Sequence, residues 1–356
     1  MTKAKTASKS IISPLIDFWC VGGLSIIFML ALIMFYQFNG GARGSVDLQT
    51  ILLMQFLINW PHFMASYRLL YAPQGSLKKH PFATLIVPTI LVILIIYACS
   101  FNQASGFSVF NIDQTMSYYF WLIAAFYLAW HYTGQAWGMV ATFTHLAGIV
   151  LTKQERFLLR FGLRVLLVWH VVWGAQDLPE AWLGPIFPYL AIILNYVSLI
   201  AFISFVMGIV GFLKIFNRTG IFPTKQMLAP WFAIYLWYLA LSINPDAYIF
   251  VQMFHALQYL IFPVRVHLNE KINDKAKNNN NLNELMYIGK YYVLLVILGG
   301  VMFYAPDILV NDGQQQYTFA LLIASAISIH HYFVDGCIWK ISNPDVRKKL
   351  FAHVKK

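Results

Sequence analysis

The chain consists of long runs of apolar residues separated by short polar segments. A helix needs roughly 20 mostly apolar residues to cross the ~30 Å hydrocarbon core of a bilayer. Runs of this length occur about ten times, and we predict a transmembrane helix in each. Their approximate limits are 14–36, 49–71, 82–100, 116–144, 156–177, 186–216, 226–243, 246–267, 287–305 and 316–339. The pattern predicts an all-α, polytopic transmembrane helix bundle.

The composition agrees with a membrane protein and excludes several other classes. Of the 356 residues, 59% are hydrophobic and 11% are charged, whereas a soluble domain has about 25% charged residues. The three cysteines include no CxxC pair, which excludes a zinc ribbon, an iron–sulfur ferredoxin and a disulfide scaffold. The formal charge of +11 would suggest a nucleic-acid partner in a soluble protein. Its distribution along the chain indicates a lipid bilayer as the partner, and no nucleic acid.

The distribution of charge also predicts the orientation in the membrane. Basic residues precede the first span and recur in every second loop, as the positive-inside rule requires of cytoplasmic segments. These residues are Lys3, Lys5, Lys9, Lys78, Lys79, Lys153, Arg156, Arg160, Lys214, Arg218, Lys225, Arg265, Lys271, Lys275, Lys277, Lys340, Arg347, Lys348 and Lys349. The intervening loops are acidic apart from Arg43. We therefore expect an even number of spans, with both termini in the cytoplasm.

We predict one integral membrane domain over residues 1–356. The polar segment at about 269–286 is expected to form a cytoplasmic loop. We expect no cleavable signal peptide, because the first apolar run is too long and no small-residue cleavage site follows it.

Histidines inside the predicted spans are the most informative polar residues. An ionisable side chain in hydrocarbon costs a few kcal/mol and usually faces the interior of the bundle. Four of the spans run in the same direction, and they carry His62, His131, His255 and His330. At 1.5 Å per residue they lie about 20, 22, 14 and 21 Å from the outer ends of their helices. Neutral imidazoles can converge without repulsion and bind iron, copper and zinc, so these four predict an intramembrane metal site.

Other polar residues are placed to support such a site. A metal-bound imidazole usually hydrogen-bonds an oriented acceptor through its second ring nitrogen. Gln135 lies one helical turn after His131, while Gln258 and Tyr259 follow His255 at the corresponding distance. We expect the two glutamines and the tyrosine to orient these histidines.

His330 and His331 are adjacent, so on a helix their side chains point about 100° apart. We expect one of them to contact the metal directly and favour His330. His331 would then be a second ligand or a partner of Asp335, four residues later. An ion pair of Asp335 with Lys340 is an open alternative. His170 lies on an oppositely directed span, and we interpret it as a core residue bonded to a carbonyl or hydroxyl group.

Four segments carry the histidine pattern: WPHF at 60–63, WHYTGQAW at 130–137, FHALQYL at 254–260 and HHYFVD at 330–335. In order, they resemble the motifs of the Brp/Blh family of membrane β-carotene cleavage oxygenases. Those motifs are a Pro-His-Gly segment, a His-Phe-Gly segment ending in Asp, a segment with His at i and i+4, and a late Pro-His with Asp five residues on. The resemblance implies a histidine-ligated iron in a bacterial inner-membrane helix bundle. It implies His62, His131, His255 and His330 as ligands.

The chain departs from the family pattern at three places. Tyr67 and Arg68 lie where the acidic residue of the first motif is expected, and the region 135–137 replaces the Asp of the second. Tyr259 stands in place of the second histidine of the third motif, which removes a ligand or supplies a phenol. We therefore predict Tyr259 and Asp335 as catalytic residues.

These observations predict a membrane-embedded non-haem Fe²⁺ oxygenase that uses O2 on a lipid-soluble, carotenoid- or isoprenoid-like substrate. The sequence leaves the identity of the metal open. One alternative is a transporter or channel in which the histidines relay protons or pass metal ions. Another is a b-type haem protein with two axial histidines. A purely structural membrane subunit would leave the histidine cluster unexplained.

Overall fold

The structure, a computed structural model, describes residues 10–39, 47–73, 75–100, 112–278, 283–309, 313–339 and 343–354. Five basic residues used for the orientation, Lys3, Lys5, Lys9, Arg43 and Lys340, lie outside the described residues. Part of the predicted cytoplasmic loop, residues 279–282, also lies outside them.

Ten long helices make up most of the described ranges, which contain no β-strand. They are α1 (Pro14–Phe38), α2 (48–71), α3 (Phe82–Cys99), α4 (Gln114–Leu146), α5 (Lys153–Ala175), α6 (Leu190–Thr219), α7 (Lys225–Ile243), α8 (Tyr248–Asn278), α9 (Glu284–Leu309) and α10 (Gly313–Ile338). Three short helices lie between or after them, at Ser76–Lys79, Glu180–Leu183 and Pro344–Leu350. Each long helix coincides with one predicted span.

Eight of these helices are long and apolar enough to cross a membrane, counting only the described parts of the chain. They are α1, α3 and α5 to α10. The all-α fold of a multi-pass membrane protein is therefore confirmed. The two predicted spans 49–71 and 116–144 are helices as well, α2 and α4, but their middles contain polar residues such as Asn59 and Gln135. The count of ten spans stays a prediction.

The helices form two compact units. The described residues of the first unit fall within 1–45, 128–258 and 354–356, and those of the second fall within 46–127 and 259–353. The helices α4 and α8 contribute one part to each unit.

In the first unit, close helix packing depends on a glycine. The α1 helix is kinked at Gly22, whose backbone lies so close to α7 that an added Cβ would be 2.6 Å from the carbonyl carbon of Ala229. The helices α5 and α6 lie side by side along most of their length. The indole ring of Trp231 on α7 fills the space beside Gly208 of α6.

In the second unit, α2 packs against both α9 and α10. Its buried face includes Phe63, Met64 and Ala65, which meet Leu295 of α9 and Ile327 of α10 in one apolar cluster. The helix that carries His62 is therefore held on two sides by neighbouring helices of its own unit.

Candidate metal centre

The second unit brings two histidines together inside the helix packing. His62 on α2 and His331 on α10 are buried, with 2% and 0% of their surfaces exposed. Their ring centroids are 4.7 Å apart and the ring planes are perpendicular. One ring nitrogen of each lies within 4.8 Å of the other. Two imidazoles at this separation can ligate one cation.

The backbone of α2 orients His62. A single wide helical turn spans Gln55–Asn59 and is followed by Pro61. Because proline has no N–H, the carbonyl of Leu57 loses its helical donor, and the Tyr292 hydroxyl donates to it instead. The Nδ1 atom of His62 hydrogen-bonds the carbonyl oxygen of Asn59. A carbonyl only accepts, so Nδ1 carries the proton and Nε2 has the lone pair that a metal requires.

A network of polar side chains surrounds Asp335 in the same unit. Its Oδ1 atom accepts hydrogen bonds from the hydroxyls of Ser66 (2.9 Å) and Tyr259 (3.0 Å). Its Oδ2 atom lies 3.4 Å from Nε2 of His331. The indole N–H of Trp339 donates to the Tyr259 hydroxyl at 2.6 Å. The carboxyl group is therefore placed to orient the His331 ring.

His330 lies elsewhere. Its Nε2 is 2.7 Å from the carbonyl oxygen of Ala83, to which it donates, and its ring stacks on Tyr67 with the centroids 5.2 Å apart. The structure thus brings His331, rather than His330, to the ring of His62. The reason is helical geometry, because adjacent residues point in different directions and the face of α10 toward His62 carries His331.

The first unit contains a second histidine pair. His131 on α4 and His255 on α8 are buried, and their ring centroids are 4.7 Å apart at an interplanar angle of 67°. The ring of Tyr132 packs on His255 at 4.5 Å. The sequence predicted both histidines as ligands, and the structure places them side by side.

Gln135 and Gln258 connect the helices that carry this pair. The Gln135 amide donates to the backbone carbonyl of His255 (3.0 Å) and to Oε1 of Gln258 (3.3 Å). The Gln258 amide donates at 2.6 Å to the carbonyl of Val21, just before the kink at Gly22. We expected Gln135 to orient the His131 ring, but its amide nitrogen bonds the His255 backbone.

The carbonyl oxygen of the Gln135 side chain is buried and has no hydrogen-bond partner among the described residues. Leaving such an acceptor unsatisfied costs about 1–3 kcal/mol. A bound ligand that carries a proton would remove this cost. The atom therefore fits a binding site better than a closed core.

The aromatic residues close in sequence to His131 and His255 differ in their surroundings. Trp130 is 64% exposed and so cannot line an enclosed cavity. The guanidinium group of Arg160 lies over the Trp137 ring, 5.0 Å from its centroid. Tyr132 and Phe254 are in aromatic packing, Tyr132 on His255 and Phe254 on Phe28. Trp137, Tyr132 and Phe254 therefore pack the helices of the first unit.

His170 is a core residue, as predicted. It is buried, and its Nδ1 lies 3.3 Å from the hydroxyl of Tyr238 in the same unit. This histidine provides a control for the others, because the rings of Tyr238 and Trp173 pack around it.

Two contributors were not predicted from the sequence. Ser66 lies four residues after His62, and Trp339 lies four residues after Asp335, so each shares a helix face with a predicted site residue. This four-residue spacing is the sequence feature that could have identified Ser66 and Trp339. A serine and a tryptophan are common enough in membrane helices that the spacing alone did not single them out.

The available donors fit a metal ion. His62 and His331 are buried histidines of the kind that could hold one, and the carboxyl group of Asp335 lies beside His331. Imidazole ligands suit iron, and a carboxyl group beside a ligating histidine commonly orients its ring. Comparison with models of protein families, with curated proteins and with solved structures finds no match to the chain.

Proposed function

We propose that the chain is a membrane-embedded oxidoreductase that holds Fe²⁺ through buried histidines and uses O2 on a lipid-soluble substrate. The observation that carries the proposal is the contact of His62 with His331, next to the carboxyl group of Asp335. We further propose that His131 and His255 form a second metal-binding pair within the first unit.

The pairing of the histidines favours a metal over ordinary core packing. Burying an imidazole ring in an apolar interior costs free energy unless each ring nitrogen has a hydrogen-bond partner or a metal ion. Two adjacent rings need twice as many such partners. A divalent cation satisfies several ring nitrogens at once. The pair in each unit, 4.7 Å between centroids in both cases, supports this interpretation.

The residues of the chain have separable roles in this proposal. Iron, when bound, would supply the activation of O2. The Asn59 carbonyl fixes which ring nitrogen of His62 carries the proton. Asp335 accepts a hydrogen bond from the Tyr259 hydroxyl, and its Oδ2 atom lies 3.4 Å from Nε2 of His331. Aromatic rings pack around the pair, with Phe63 at 4.6 Å from His331, and these rings exclude water.

The substrate class follows from the environment. A site between membrane helices is reached from the hydrocarbon more readily than from water, so a hydrophobic small molecule is the expected substrate. The motif resemblance to the Brp/Blh family supports a carotenoid- or isoprenoid-like compound. The expected reaction is oxygenation.

Metal analysis of the detergent-purified protein tests the proposal. The protein is loaded with Fe²⁺ without oxygen, and its bound metal is compared with that of His62→Ala, His331→Ala, His131→Ala and His255→Ala. We expect bound iron in the wild type and a loss in each variant. The controls are His330→Ala and His170→Ala, which remove buried histidines that have other partners. We expect both controls to retain the metal.

Three results would contradict the proposal. The first is a wild-type protein that binds no metal. The second is a Soret band in the purified protein, which would indicate haem. The third is metal flux in proteoliposomes without substrate oxidation, which would indicate a transporter.

A further inference from the structure

The first unit contains a cavity that is separate from the histidine pair. Its volume is about 450 Å³, within the range of about 300–1,000 Å³ that ligand pockets occupy. The helices α1, α6 and α7 line it with apolar side chains, among them Phe18, Ile26, Phe212 and Trp231. Lys225, the first residue of α7, is the charged residue in the lining.

The cavity extends over about one leaflet of a bilayer. Its lining residues on α6 run from Phe205 to Phe216. At 1.5 Å per residue this corresponds to about 16 Å, and half of the hydrocarbon core is about 15 Å. The end near Lys225 lies where α6 is connected to α7, beside Lys214 and Arg218 at the end of α6, and the positive-inside rule assigns this basic region to the cytoplasmic face. The cavity therefore reaches from the level of the inner headgroups toward the bilayer centre.

Lys225 is the available cation at this end. It is exposed, its Nζ lies 6.0 Å from the centroid of the Phe18 ring, and it has no ion pair among the described residues. Arg218 is already engaged, because its Nε and Nη2 atoms donate to the carboxylate of Glu155 at 2.7 and 2.8 Å. An anion at the mouth of the cavity would therefore meet Lys225.

We propose that this cavity binds one acyl chain of an anionic glycerophospholipid whose phosphate contacts Lys225. The lining offers almost no hydrogen-bonding groups, which excludes a polar small molecule. An acyl chain gains little by moving from bulk lipid into an equally apolar cavity. Selection must then come from the headgroup, and the lysine selects negative charge. This site does not depend on the proposed oxygenase activity.

Native mass spectrometry of the full chain tests this site. The protein is equilibrated with vesicles of equal parts phosphatidylglycerol and phosphatidylcholine, then transferred to detergent. We expect about fivefold more bound phosphatidylglycerol, the ratio that corresponds to ~1 kcal/mol per lysine at an anionic membrane surface. Lys225→Gln should bring the ratio close to one. The matched control is Lys214→Gln, an exposed lysine near the same loop that does not line the cavity.

A second variant tests the cavity itself. Ile209 lines the cavity and is partly exposed, so Ile209→Trp should fill space without disturbing the packing behind it. We expect less bound lipid of both kinds, with an unchanged elution volume and thermal unfolding. The proposal is overturned by equal binding of the two lipids to the wild type, or by equal effects of Lys214→Gln and Lys225→Gln. It is also overturned by unchanged binding in Ile209→Trp, or by recovery of free fatty acid alone.

Discussion

Asp335 is a carboxyl group inside an apolar helix bundle, where a single charge is expensive. Three polar side chains face it: Ser66, Tyr259 and His331. Such an arrangement holds a carboxyl group in one orientation and lets it direct the ring of a neighbouring histidine. In metal sites, groups of this kind position a ligand and tune its affinity without forming the strongest bond themselves.

We expect Asp335→Asn to weaken Fe²⁺ binding by about 10–100-fold, the usual effect of removing a group that orients a metal ligand. The amide keeps the size of the side chain but loses the charge. Competition with a chelator of known affinity measures the change. Asp345→Asn removes a carboxyl group at the exposed helix Pro344–Leu350 and should leave the affinity unchanged. Equal affinity in wild type and Asp335→Asn would rule out the positioning role.

The Tyr259 hydroxyl also contributes to stability. Tyr259→Phe removes the donor to Asp335 and leaves the indole N–H of Trp339 without its acceptor. A buried group left unsatisfied costs about 1–3 kcal/mol, so we expect the free energy of unfolding to fall by that amount. Denaturant unfolding in mild detergent measures it. Tyr304→Phe, on an exposed position of α9, is the control and should have no measurable effect.

The helices α2 and α3 share a local arrangement. In each, one wide turn ends two residues before a proline: Gln55–Asn59 before Pro61, and Phe82–Ile86 before Pro88. A proline cannot donate to the preceding turn, and widening of the helix accommodates the missing bond. Wide turns of this kind often occur at functional sites. In α2 the turn places the Asn59 carbonyl against Nδ1 of His62.

This arrangement predicts different results for two matched substitutions. Pro61→Ala restores an N–H that can bond the Leu57 carbonyl, so α2 should return to regular geometry and rotate His62. We expect weaker Fe²⁺ binding with unchanged helical content by circular dichroism. Pro88→Ala makes the equivalent change in α3 and should leave metal binding unaffected. If both variants bind metal as the wild type does, the wide turn of α2 has no role in the site.

The helix Pro344–Leu350 is linked to the segment Ser76–Lys79 by one ion pair. Nζ of Lys79 lies 2.6 Å from Oδ2 of Asp345, and this hydrogen bond lowers the pKa of Asp345 below its ordinary value of 3.8. A lowered pKa means that the carboxylate form is stabilised in the folded protein. The link is therefore present above the ordinary pKa and is lost as the pH falls through the lower, folded-state pKa.

Hydrogen exchange of the Pro344–Leu350 amides, corrected for intrinsic exchange rates, measures this link. We expect protection that is constant from neutral pH down to about the ordinary pKa of aspartate and declines only below it. At neutral pH, Asp345→Asn should show the same protection as the wild type shows below the pKa of Asp345. The effect should be small, because water and salt screen an exposed ion pair. A loss of protection between pH 7 and 5 would contradict the assignment.

The ability of the sequence to predict the structure varied with the feature. Apolar runs predicted ten helices at the correct places. A helix that crosses a membrane must be long and apolar, and both properties can be read directly from the sequence. The wide turns were not predicted, since they change the rotation of a helix without changing its hydrophobic pattern. For the same reason His331 could not be distinguished from His330. Ser66 and Trp339 were missed because their roles depend on partners distant in sequence, such as Tyr259.

The number of membrane crossings depends on α2 and α4, the long helices that fall outside the set of apolar candidates. If both cross, the basic segment with Lys78 and Lys79 lies on the cytoplasmic side, as its charge requires. If neither crosses, that segment lies on the outer side, although the later helices keep their orientation.

Cysteine labelling with a membrane-impermeant maleimide separates the two topologies. In a background with the native cysteines replaced by serine, Leu48→Cys and Leu285→Cys serve as the outer and inner references, since both positions are exposed at helix starts. We expect Leu77→Cys, between α2 and α3, to behave like Leu285→Cys. Both should be labelled only after the membrane is permeabilised. Labelling of Leu77→Cys in intact cells, like Leu48→Cys, would show that α2 does not cross the bilayer. His62 would then lie on a helix that does not span it.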